Sequence, residues 1–170
     1  MMEYYADYKP DELEFFINCV KPILEYEPVK MMDSFIQHGS TSCLKHSLAV
    51  SFYSYIVCKR LHLKCDLKAV IRGALLHDFF LYDWHIRDKK RRWHGFTHPR
   101  TALENARKYF CLSKKEEDII LKHMWPLTFK FPRFIESFIV CMADKICSIF
   151  EIFEFIHGYR LYATMPAFAD

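Results

Sequence analysis

Four glycines against sixteen phenylalanines and ten tyrosines in 170 residues are too few for turn-rich sheets, and the balance favours helices. Seven cysteines (Cys19, Cys43, Cys58, Cys65, Cys111, Cys141, Cys147) contain no CxxC pair and leave an odd one over. They read as reduced thiols filling helix faces rather than a disulfide framework, which points to the cytoplasm. The N-terminal residues Met1 to Asp7 are acidic and lack an apolar core, so no signal peptide is expected there. No apolar run is long enough to span a membrane, because the most apolar stretch, Phe138 to Met142, lies between Glu136 and Asp144. A formal charge of +3 is too small to argue for nucleic-acid binding by itself. There is no internal repeat, low-complexity run or domain linker.

What is present fits one ordinary domain. Hydrophobic residues make up 52% and charged residues 26%, enough to close a sizeable core. Pro10-Asp11-Glu12 opens a helix over 10–26 that Pro22 kinks or divides. The pattern predicts a second helix from Pro28 to about His38, stopped at Gly39. Ser40 or Thr41 caps a third, through Cys43, His46, Ala49 and Tyr53 to about Leu61. Asp66 starts a fourth, Leu67 to Phe80, and residues 82–96 read as a long loop with a basic, aromatic run over 87–94. Thr97 caps a fifth helix to Phe110, and Ser113 with Glu116 makes a capping box for a sixth. The last long helix is expected from Arg133 to about Phe155. The reading is a single all-α domain of about seven helices over residues 1–170, with its core at about 40–150, N-terminal helices at 10–38 and a tail at 158–170.

The informative residues are ionisable ones on apolar faces. His77-Asp78 closes two apolar turns as an adjacent pair, and a buried aspartate without a partner costs several kcal/mol. His46 aligns with Ala49, Val50 and Tyr53. His123 follows Ile119 and Ile120, and Asp144 lies among Val140, Cys141, Cys147 and Ser148. His98 sits at a helix start, able to point inward. Singly, each histidine reads as a hydrogen-bonded core residue, and Asp144 as the partner of Lys145 or a nearby arginine. Together they place six donors on five helices at regular intervals, which is how a helical bundle builds a metal site. Four imidazoles and two carboxylates suit iron, manganese, cobalt or zinc. They exceed what one tetrahedral ion needs, so two bridged ions are the economical reading.

The order His…His-Asp…His…His…Asp resembles the HD-domain superfamily of metal-dependent phosphohydrolases over about residues 40–150. Leu75-Leu76-His77-Asp78 is similar to its signature pair, His46 to its first histidine, and Ala143-Asp144-Lys145 to its closing aspartate motif. His98-Pro99 and His123 resemble the third and fourth histidine positions of dinuclear members such as the HD-GYP phosphodiesterases. The resemblance implies that His46, His77, Asp78 and Asp144 hold one ion, with Asp78 bridging to a second held by His98 and His123. The chain departs from the HD-GYP group in having Phe79-Phe80-Leu81-Tyr82 where a lysine is usual, in lacking a GYP segment, and in having one histidine at His123 instead of two. Cyclic-dinucleotide phosphodiesterase activity is therefore not expected.

The expected chemistry is hydrolysis of a phosphate ester. Two ions lower the pKa of a bridging water from 15.7 to roughly 7 and act as Lewis acids, so positioned charge does most of the catalysis. Asp78, Lys145 and His94 are the candidate catalytic residues, His94 as a proton donor to the leaving group. Arg72 and Arg100 are candidate substrate-binding cations. The substrate expected is a nucleotide or other small phosphorylated metabolite. Iron or manganese leads zinc and cobalt as the metal, neither membrane nor nucleic acid is an expected partner, and a homo-oligomer is allowed. The alternatives are a mixed-valent di-iron oxygenase of HD fold and a non-catalytic nucleotide-binding sensor.

Overall fold

Pro10 pre-sets the backbone at the start of α1 (Pro10–Leu24), and Asp11 and Glu12 occupy its first turn, where acids suit the helix dipole. Pro22 lies inside the same helix, near its end. The computed structural model describes residues 9–84 and 93–157; the tail at 158–170 and most of the basic run lie outside them. After α1 come α2 (Glu27–Lys30), a 3-10 turn (Met31–Ser34), β1 (Ile36–His38), β2 (Thr41–Ser42), α3 (Cys43–Arg60), α4 (Leu67–Leu75), α5 (His94–Tyr109), α6 (Lys114–Lys122) and α7 (Ile135–His157). Among the described residues there are seven α-helices and one small hairpin, so the chain is all-α as expected.

Four boundaries correct the sequence reading. The helix expected to end at Gly39 stops after Lys30. Residues 36–42 instead form an antiparallel hairpin pairing Ile36 with Ser42 and His38 with Thr41. Gly39 still supplies the left-handed backbone, φ 58°, but uses it in the hairpin turn. The cap of α3 is Ser42, whose hydroxyl accepts from the Lys45 amide at 3.3 Å. α4 ends at Leu75 and not Phe80, because the His77 ring donates from Nδ1 to the Ala74 carbonyl at 2.6 Å and closes the helix end. α5 begins at His94, three residues before the expected Thr97 cap, and the Thr97 hydroxyl bonds back to the Trp93 carbonyl. The capping box of Ser113 and Glu116 forms as predicted.

α3 is the central helix. Most of its length is buried, and small side chains, among them Ser47, Ala49, Ser51 and Ser54, let neighbours come close all round. It packs on α4 and α7, and the Ser51 hydroxyl bonds the Ile71 carbonyl of α4 at 2.8 Å. α6 joins α4 to α7 and α5 joins α6, so the C-terminal ends of α4 and α6 converge on α3 and α7. That convergence is set by one close approach. A Cβ on Gly73 would stand 2.7 Å from the Ile119 Cδ1 and 3.1 Å from its Cβ and Cγ2.

Gly73→Val is therefore expected to push α4 off α6. The overpacking cost is about 3 kcal/mol, a fall in Tm of roughly 6–12 °C for a domain of this size. Thermal melts of the two proteins check this, and an unchanged Tm would show that α4 and α6 have room to spare.

Candidate metal centre

Four histidines and two aspartates from five elements meet in one buried cluster. His46 comes from the second turn of α3, and His77 and Asp78 from the turn that follows α4. His98 lies in α5, His123 caps the end of α6, and Asp144 sits on the inner face of α7. All six are buried, none more than 7% exposed. The expected set is thus brought together, with one change of placement. His77 and Asp78 stand past a helix end, where the free carbonyls of α4 favour positive charge.

The histidine rings are oriented by what holds their outer nitrogen. His77 Nδ1 donates to the Ala74 carbonyl, His98 Nδ1 to the His94 carbonyl at 2.8 Å and His123 Nδ1 to the Ile120 carbonyl at 2.9 Å. His46 Nδ1 faces the Glu151 carboxylate at 2.8 and 3.0 Å. In each case Nε2 is turned inward, the arrangement that fixes a ligating tautomer. The inward atoms then face one another. His98 Nε2 and His123 Nε2 are 2.8 Å apart, and His46 Nε2 is 3.1 Å from Asp144 Oδ1. His77 Nε2 lies 3.3 Å from Asp78 Oδ2 and 3.6 Å from Asp144 Oδ1.

Asp78 divides the cluster. Its Oδ2 faces His77 and, at 3.9 Å, His46; its Oδ1 faces His98 at 3.2 Å and His123 at 3.5 Å. His77 Nε2 and Asp78 Oδ1 are buried without a hydrogen bond. Among the described residues two triads have donors within 4.8 Å of one another: His46, His77 and Asp144, and His77, Asp78 and His123. Inward lone pairs with no hydrogen to share are costly in a dry interior and are satisfied by a cation. The residues therefore fit a divalent metal.

The electrostatics agree. Burial pulls the His46 imidazole down, but Glu151 and then Asp144 outweigh it and raise it from 6.5 to about 9. Burial opposes His77 too, yet Asp78 and Asp144 hold it well above its ordinary value. Burial raises both carboxyls, but His77 and His98 hold Asp78, and His46 and His77 hold Asp144, well below the usual carboxylate range. His123 goes the other way, drawn to about 3 by burial and the neighbouring His77.

Two residues that sequence reasoning missed support this cluster. Glu151 lies seven residues after Asp144, two turns along the same face of α7, and that spacing could have revealed it. Gln37, on β1, donates from Nε2 to Asp78 Oδ2, and nothing local in the sequence marked it.

The candidate catalytic and substrate-binding residues outside the cluster are scattered. A cavity of about 1100 Å³ opens onto Asp78, His98, His123 and Asp144, walled by Trp84, Met124, Leu127 and Ile149. His94 lines it, stacked on Trp84 and on His98 at 5.0 and 4.4 Å between centroids, with its Nδ1 2.9 Å from Tyr82 Oη. Lys145 also lines it, with its ammonium on the carbonyls of His123 and Cys141 and on the Cys141 sulfur. Arg72 and Arg100 do not reach the cavity. Arg72 pairs with Glu116 beside a separate pocket, and Arg100 pairs with Glu104 on the exposed side of α5. Both were read as facing the site because they lie near ligands in sequence, but α4 and α5 turn them outward. Phe79 and Phe80 are core, and Leu81 turns the chain with a φ of 57°.

Metal-free protein should be most stable near pH 6.5. His46 gains its proton on folding, so its contribution is complete below about 6.5 and is lost as pH rises through about 9. His123 is depressed, so stability is lost as pH falls from about 6.5 toward 3. Loading with metal displaces the His46 proton and moves the maximum to higher pH. Melting curves with and without chelator test this; metal-free protein that grows steadily more stable toward pH 9 would contradict it.

A search of curated proteins and a search of solved structures give no match. The family model described as HD domain matches residues 43–149 and so spans all six clustered donors. The match covers more than half of the sequence, and the chain belongs to the HD domain family.

Proposed function

We propose that the chain is a metal-dependent phosphohydrolase acting on a small phosphate ester, a nucleotide or similar metabolite, with two divalent transition-metal ions. The observation that carries this reading is the division of Asp78, one oxygen toward His46 and His77 and the other toward His98 and His123. His46, His77, Asp78 and Asp144 would hold one ion, and Asp78, His98 and His123 the other, with iron or manganese first by donor type. Bound ions supply Lewis acidity toward a phosphoryl oxygen and make water a nucleophile at neutral pH. HD domains are commonly metal-dependent hydrolases, which supports the reaction class.

The remaining roles follow from position. Among the described residues Lys145 is the only lysine or arginine lining the cavity. Its three donors are taken up by wall acceptors, so it lends positive charge to that side and transfers no proton. His94, held by Tyr82 and the Trp84 stack at the cavity wall, is the group we assign to protonating the leaving oxygen. The ring of Trp84 and the side chains of Met124 and Leu127 offer an apolar bed for the organic part of the ester.

Phosphate release from a panel of nucleotides and aryl phosphates, with manganese added, tests the reading. Asp78→Ala should abolish release, Arg100→Ala should leave it within about twofold, and Glu151→Gln should weaken metal binding about 10–100-fold through the loss of the His46 partner. Oxygen consumption by iron-loaded protein without phosphate release would overturn the hydrolase in favour of an oxygenase.

A further inference from the structure

From 135 to 152 the last helix keeps its charge inside. Glu136, Asp144 and Glu151 are buried, and Lys145 folds its ammonium back onto Cys141 and His123. From 135 to 152, every exposed residue of α7 is apolar: Ile135, Phe138, Met142, Ile146, Ile149, Phe150 and Ile152, each 38–56% exposed. At 3.6 residues per turn they form one stripe roughly 160° wide and about 26 Å long. An apolar face of that size on a folded chain marks a contact surface.

We propose that this face seats a second copy of the chain, with the two α7 helices antiparallel about a two-fold axis near Met142 and Ile146. Three features select that occupant. The stripe exposes on the order of 700 Å², close to the roughly 800 Å² per partner of a standard protein interface. A two-fold axis lays a surface against itself, so any charge would meet its like, and this stripe presents none. Its central positions are also symmetric about residue 144, so an antiparallel copy sets Phe138 opposite Phe150 and Met142 opposite Ile146. A lipid surface fits less well, because such helices flank their apolar face with outward lysines or arginines, and the one lysine of this span turns inward. Ile149 also lines the metal cavity, so the second copy would lie against the cavity's outer wall.

Light scattering and sedimentation of the whole chain at micromolar concentration test the pairing. The expected mass is twice the 20.5 kDa of one chain. Met142→Glu and Ile146→Lys should each give a monomer with an unchanged circular dichroism spectrum. Mixing the two variants should restore the dimer, because the new glutamate of one copy faces the new lysine of the other. A monomeric wild type would overturn the proposal, and its co-sedimentation with phosphatidylcholine vesicles would give the face to lipid. Single variants that stay dimeric, or a mixture that stays monomeric, would also overturn it.

Discussion

Lone pairs that face lone pairs in a dry space have to be held there by positive charge. His98 and His123 present their Nε2 atoms to each other at 2.8 Å, and both lie near Asp78 Oδ1. His46 and His77 do the same toward Asp144. In the metal-free chain protons on His46 and His77 supply part of that charge, held there against burial by Glu151, Asp78 and Asp144. A divalent ion supplies it better, because it accepts several donors at once. The rest of the architecture serves to keep these donors aimed inward.

Helix ends do much of that work. α4 and α6 both end beside a histidine whose Nδ1 donates to a backbone carbonyl of the helix's last turn, so the helix end itself orients the ligand. Gly73 lets the two helices approach closely enough for both ends to share a centre. The hairpin closes another side, where Gln37 donates to Asp78 and the Cys43 thiol bonds the Asp78 carbonyl at 3.2 Å. Glu151 holds His46 from behind, and the burial of this carboxylate accounts for much of the inward charge of α7. The apolar outer face of that helix is the other side of the same arrangement.

The sequence showed the donors more clearly than their supports. His46, His77, Asp78, His123 and Asp144 were legible as ionisable residues in apolar helical patterns and His98 as a histidine at a helix start, and their order matches a family. Ser113 with Glu116 was legible for a local reason, since a capping box is complete within four residues. The hairpin at 36–42 was not, because its strands are three and two residues long and their pairing is tertiary. Gln37 stayed hidden with it. Arg72 and Arg100 were misplaced because nearness in sequence to a ligand does not fix the side of a helix on which a side chain lies. Glu116 and Glu104 hold them elsewhere.

The number of ions per chain is the most direct measurement. Protein purified with metal in excess, and the His123→Ala variant beside it, can be analysed for bound metal by mass spectrometry. Two ions in the wild type and one in the variant are expected from the way Asp78 splits the donors. One ion in both would contradict the dinuclear centre and reassign His98 and His123 to the substrate.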